Sequence, residues 1–408
     1  MSAAATPEPE LSVDALGHRY GATAAALADA TPEHRDRVVD FLRVVSIAVV
    51  VLWHWTFSVT HWHDGSLRMP NPIGDVPGLW LATWLLQVMP LFFLVGGYAN
   101  LASWTAIVRD GGGAPAFWSK RFSRLVRPVA VYVACWLVFD LAWQARGGAS
   151  VLDWGMAVFV PLWFLGVYAG VVLLAPLTAR AHAARPMLAL AGLGGGVLLA
   201  DLARFGFGVG WAGWINLGLV WTLCHQLGYW WRDWPTPGRR AGGRNRPLAL
   251  VAAGLGALVV LTSLDVYPQS MVAVRGQEIS NMNPPTACIA ALAVLQLGVA
   301  LTARPALSRW LARRAVWRTV VAANAVAMTV FCWHMTALVG FLVAYEAAGW
   351  TLADQPTLGW WLSRPVWVVG PAVVLAGLMV VFARFELPRL RGLRRNRSQN
   401  LEAVASPS

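Results

Sequence analysis

Between residues 40 and 385 the chain alternates long apolar runs with short polar breaks, and each run is about as long as a bilayer crossing. A helix rises 1.5 Å per residue, so spanning the hydrocarbon core takes about 20 apolar residues. Runs on that scale lie near 40–59, 79–107, 125–144, 156–177, 186–202, 211–231, 248–264, 286–303, 320–345 and 365–385. The pattern predicts an all-α protein, a polytopic membrane helix bundle with about ten transmembrane helices. The ten-helix membrane domain is expected over 37–386. It lies between a cytoplasmic mobile tail at 1–36 and a cytoplasmic basic tail at 387–408. Pro235–Pro247 reads as a linker between a first bundle of six helices and a last group of four. Residues 1–36 carry Glu8, Glu10, Asp14, Glu33 and Asp36 and lack a continuous apolar core, so the first helix is expected to serve as an uncleaved signal.

The basic residues give an independent test of this map. With the N-terminus in the cytoplasm, 27 of the 32 Lys and Arg fall on cytoplasmic segments. Each outer loop then holds a single one: Arg68, Arg146, Arg204, Arg275 and Arg364. That split follows the positive-inside rule and places both termini in the cytoplasm. It also accounts for the net charge of +12 without a nucleic-acid partner. The chain is 57% hydrophobic and 13% charged, against roughly 25% charged in a soluble domain. Its 24 Trp suit membrane–water interfaces. Arg outnumbers Lys 31 to one, and Ala, Gly and Val abound, which points to a GC-rich bacterial genome and the inner membrane. Cys135, Cys224, Cys288 and Cys332 sit inside apolar runs with no C-x-x-C pair, as small buried hydrophobes do.

Ionisable side chains are costly inside a membrane helix and are functional candidates by default. The first helix carries Asp40, Arg43 and His54. His54 lies eleven positions after Arg43, three turns plus about 20°, so both share one face roughly 16 Å apart along the axis. Asp40 lies three residues before Arg43 and can pair with it. Histidine is the natural general base near neutral pH, and arginine grips phosphate or carbonyl oxygen. Spacing alone leaves equal room for a helix–helix hydrogen bond at His54 and an interface anchor at Arg43.

Five stretches carry a resemblance. Arg43, ten intervening residues and His54 form the first. Pro90-Leu91-Phe92-Phe93-Leu94-Val95-Gly96-Gly97-Tyr98 is the second. Lys120-Arg121-Phe122-Ser123-Arg124-Leu125 with Pro128 is the third. Leu162-Trp163-Phe164-Leu165 with Ala175-Pro176-Leu177 is the fourth, and Trp333-His334-Met335 is the last. In this order they resemble the acyltransferase-3 family of membrane O-acyltransferases, from about residue 37 to 385. Where that family usually has Ser, Gly96 stands here, so a hydroxyl role at that site is absent or moved. The resemblance implies transfer of an acyl group, acetyl being the expected one, from cytoplasmic acyl-CoA to a hydroxyl of a sugar or cell-envelope glycan. It implies His54 as the base. It gives Arg43, held by Asp40, the task of orienting the donor or steadying the oxyanion. Arg121 and Arg124 then suit the phosphates of coenzyme A, although topology alone also places basic residues there.

His225 and His334 are candidate intramembrane partners of the site, or simple packing hydrogen bonds. His61 and His63 fall on an outer loop. Asn281 and Asn283 are expected to cap the helix that follows Pro284 and Pro285. No pair of His, Asp or Glu has metal-ligand spacing within a helix, and no phosphate loop is present, so catalysis is expected to need only the acyl donor. A transporter or flippase would carry a similar polar stripe, but no internal repeat is visible. A purely structural membrane protein is the third class. Asp40, Arg43 and His54 pointing into the bundle and meeting a cavity open to the cytoplasm favours the enzyme, a water path open at alternate faces the transporter, and a stripe facing a neighbouring helix with no cavity the structural role.

Overall fold

A computed structural model of the chain describes residues 25–26, 28–29, 31–32, 35–150, 157–234 and 245–386. The two tails lie largely outside the described residues, as does most of the expected linker at 235–247. Helix α1 (Arg37–Thr56) starts where the Asp36 carboxylate accepts the amides of Val38 and Val39. A negative cap satisfies orphan donors and opposes the positive end of the helix dipole. The other Asp36 oxygen takes Arg304 at 2.8 Å and the Trp231 indole at 2.9 Å, tying the start of α1 to two distant segments. A small antiparallel hairpin follows, β1 (His61–His63) and β2 (Ser66–Arg68), with Trp62 opposite Leu67.

The remaining elements are helical. They are α2 (Trp80–Leu86), α3 (Met89–Arg109), α4 (Ala114–Gln144), α5 (Leu162–Ala184) and α6 (Pro186–Asp201). Then come α7 (Ala212–Asp233), α8 (Asn245–Thr262), α9 (Ala287–Leu311) and α10 (Arg314–Ala325). The last are α11 (Ala327–Ala347), α12 (Leu358–Leu362) and α13 (Arg364–Phe382). Among the described residues nine helical spans are long and apolar enough to cross a membrane. The predicted segment 211–231 is the exception. It forms α7, 22 residues and about 33 Å long, but Asn216, His225 and Gln226 lower its hydropathy. Those three side chains are buried, and α7 packs against α3, α5, α6 and α9. Where protein surrounds α7, from Val220 to Tyr229, its surface need not be apolar.

Two long runs are broken where one helix was expected in each. The run at 79–107 splits at Gln87–Val88, with Pro90 in the first turn of α3, a place where its missing N–H costs nothing. The run at 320–345 splits at Val326. Here α10 turns Trp317 and Val320 inward, and the Glu386 carboxylate accepts the amides of Met328 and Thr329 at the start of α11. At α9 the cap is Thr286, not Asn281 or Asn283. The Asn281 amide instead bonds the carbonyls of Pro268 and Ser270.

Helices α3 and α7 approach so closely that side chains are excluded. A Cβ on Gly97 would lie 1.9 Å from the His225 carbonyl oxygen, and one on Gly228 would lie 2.0 Å from that of Leu94. Small residues permit such contact in membrane bundles. Gly97→Ala or Gly228→Ala is therefore expected to destabilise the bundle by about 1–3 kcal/mol, the overpacking range, visible as a lower melting temperature in detergent. Gly192→Ala, where a Cβ meets nothing within 4 Å, should match or exceed wild type. Equal melting of all three variants would contradict this packing.

Candidate functional site

Near the C-terminal end of α1, His54 meets His334 of α11. The His334 Nε2 lies 3.2 Å from the His54 Nδ1, and the His334 Nδ1 lies 2.7 Å from the Phe331 carbonyl. The acceptors assign the protons of the neutral rings. His334 donates from Nδ1 to Phe331, which leaves its Nε2 as an acceptor. The His54 Nδ1 faces two acceptors, that nitrogen and the Val50 carbonyl at 2.8 Å, so it carries the hydrogen. The lone pair of His54 is therefore on Nε2, which has no protein partner among the described residues. The Trp55 indole donates to the His334 carbonyl at 3.0 Å and fixes α1 against α11.

The His54 ring lines a cavity of about 140 Å³. Trp53, Phe164 and Phe331 give it apolar walls, while Thr83 and Gln87 add polar groups from the break between α2 and α3. That break frees backbone groups, and side chains take them up. The Gln87 carbonyl accepts the Gln296 amide at 2.7 Å, and the Gln87 side-chain oxygen accepts the Met89 amide at 3.2 Å. Irregular backbone within a membrane is tolerated where protein buries it or a cavity adjoins it. The sequence shows Gln87 as one polar residue in an apolar run, and its partner Gln296 is 209 positions away.

The other stripe residues lie at the opposite end of α1. The Asp40 carboxylate is gripped by Arg35 at 2.5 and 3.0 Å, whereas Arg43 stands off at 3.9 Å. Arg43 and Arg124 are both within electrostatic reach of Arg121. The Arg121 guanidinium donates to the Ala99 carbonyl and lies 5.9 Å from the Phe117 ring centre, while its buried Nε has no partner. Arg124 is exposed. Arg43, Arg121 and Arg124 thus bring together three charges of one sign, about 16 Å along α1 from His54.

His225 does not join His54. Its Nε2 takes the Asn100 amide at 2.9 Å and its buried Nδ1 is unpartnered. On the neighbouring turn, His182 bridges the Gln226 amide at 3.0 Å and the Asp233 carboxylate at 2.8 Å. Sequence reasoning missed His182, because its position beside Arg180 and Arg185 resembles a solvated loop. At Gly96 a Cβ would lie 2.7 Å from the Tyr168 ring, so that ring fills the space a serine would use. His61 and His63 sit on the hairpin strand, away from the cavity lining.

A multi-pass helical bundle with a paired imidazole lining a cavity, and an arginine cluster at the other end, is the architecture of a membrane protein with two separated polar sites. Residues 36–383 match the family model described as an acyltransferase domain, and the chain belongs to the acyltransferase-3 family. No curated protein and no solved structure matches it.

The assigned geometry has a chemical test. Diethyl pyrocarbonate attacks an unprotonated imidazole nitrogen that solvent can reach. His54 should be carbethoxylated in the folded protein well before the fully buried His225 and His334, as peptide mass spectrometry would read. Modification of all three at one rate would remove the open Nε2.

Proposed function

We propose that this membrane acyltransferase moves an acyl group, acetyl being the expected one, from acyl-CoA to a hydroxyl of a sugar or cell-envelope glycan. The observation that carries the reading is the His54 Nε2, left basic and open to a cavity because His334 and Val50 hold the opposite nitrogen. A hydroxyl within about 2.6–3.2 Å of Nε2 gives up its proton as its oxygen attacks the thioester carbonyl. The tetrahedral intermediate collapses as the C–S bond breaks, and the departing thiolate takes the proton back from His54. His334 accepts from the His54 Nδ1–H throughout and orients the ring, as the third member of a nucleophile–base–orienter set does.

The donor reading rests on the two ends of α1. Arg43, Arg121 and Arg124 suit the phosphates of coenzyme A, and the ~16 Å from Arg43 to His54 calls for a donor with a long arm. Coenzyme A has one. That separation favours a donor-orienting role for Arg43 over an oxyanion role, since an oxyanion beside His54 lies beyond its guanidinium. Asp40 serves Arg35 more tightly than Arg43. The distribution of basic residues supports a reading in which the arginine end and both termini face the cytoplasm and the His54 cavity lies toward the outer leaflet.

The test is thiol release from acetyl-CoA by the purified protein. His54→Ala should lose about 10²–10⁴-fold in kcat, the range for a general base, and should melt like wild type. His334→Ala should lower kcat and leave the KM for acetyl-CoA unchanged. Arg121→Ala should raise that KM about tenfold or more, as loss of a charge-assisted contact does. Full activity in His54→Ala would remove the base and with it this mechanism.

A further inference from the structure

Arg364 opens α13 at the same end of the bundle as His54, where basic residues are few. It is 8% exposed. Its guanidinium lies 3.8 Å from the Trp360 ring centre and 5.0 Å from that of Trp367. The Nε donates to the Trp360 carbonyl and one terminal nitrogen to Ser363, each at 3.0 Å. The other terminal nitrogen, Nη1, is buried and has no partner. No carboxylate among the described residues forms an ion pair with it. A buried guanidinium with open donors and no counter-charge is costly, and a ligand that supplies the anion offsets that cost.

The side chain borders a second cavity of about 220 Å³, where roughly 10–15 Å³ would admit one water. Its lining includes Thr60, Thr351 and Tyr345, each bearing a hydroxyl, beside the two tryptophans. Aromatic faces with scattered hydroxyls suit a sugar ring, and a planar fork suits a carboxylate or phosphate. Rings also join this cavity to the first. Trp53, in the wall of the His54 cavity, stacks on Phe57 at 4.5 Å. Phe57 meets Trp361 at 6.0 Å, and Trp361 meets Trp360 at 4.7 Å.

We infer that the Arg364 cavity is a subsite for an acidic sugar, its guanidinium taking a carboxylate or phosphate carried by the acceptor glycan. Calling that sugar part of the acceptor rests on the proposed function; the anion site itself does not. With one acidic unit held at Arg364, the ring path from Trp360 to Trp53 leads a hydroxyl further along the glycan toward His54.

Calorimetric titration of the full-length protein in a polyoxyethylene detergent, at fixed ionic strength, tests this directly. The probes are glucuronate, glucose 6-phosphate and glucose. Wild type should bind at least one anionic sugar saturably and at least tenfold more tightly than glucose. The tighter of the two anions assigns carboxylate or phosphate. Arg364→Gln should lose the preference, and His54→Ala should keep it. Should Arg364→Gln fail to fold, Arg364→Lys, which keeps the charge without the fork, should weaken anion binding at least tenfold. Saturable binding of neither anion by wild type, or equal binding by the Arg364 variants, overturns the subsite. Because thiol release is not the readout, a failed subsite and a failed acyltransferase reading remain distinguishable.

Discussion

In hydrocarbon, a polar group without a partner costs several kcal/mol, and most of this architecture follows from that constraint. Polar side chains gather on the buried half of α7, from Val220 to Tyr229, and on the faces that meet it. Where the chain must leave the helical path at Gln87, Gln296 reaches across from α9 to take the free carbonyl. Where α10 ends at Val326, Glu386 closes the exposed amides of α11. Among the buried groups left without a protein partner are the Nε of Arg121, the Nδ1 of His225 and the Nη1 of Arg364. The Arg364 side chain also borders a cavity.

Helix α1 joins these places. Its start is locked by Asp36 to α7 and α9, and its end by Trp55 to the His334 carbonyl. A rod fixed at both ends holds two unlike chemistries at a constant separation. Near its start sits a cluster of cations, and near its far end an imidazole whose tautomer is set by a neighbouring ring. Chemistry between a large anionic donor and a hydroxyl needs such a separation, because the donor must be gripped far from where it reacts.

Much of this was legible in the chain. The apolar runs gave the helical class, and the Arg43–His54 spacing marked two candidate residues on α1. The sequence motifs placed His334 beside Trp333 without saying what it meets. Pairings across hundreds of positions, such as Gln87 with Gln296 or His54 with His334, leave no local periodicity. Asp40 with Arg43 looked natural at three residues apart, yet Arg35, upstream of the helix, reaches the carboxylate first. The hydropathy of α7 was lowered by residues whose burial only the fold explains. The breaks at Gln87 and Val326 were hidden because each lies inside an unbroken apolar run.

A structure of the protein with coenzyme A bound would test the central claim most directly. The account predicts phosphate density within hydrogen-bonding distance of Arg43, Arg121 or Arg124, with the thiol end directed along α1 toward the His54 Nε2. Phosphates lodged at the His54 end, or a thiol pointing away from that imidazole, would contradict it.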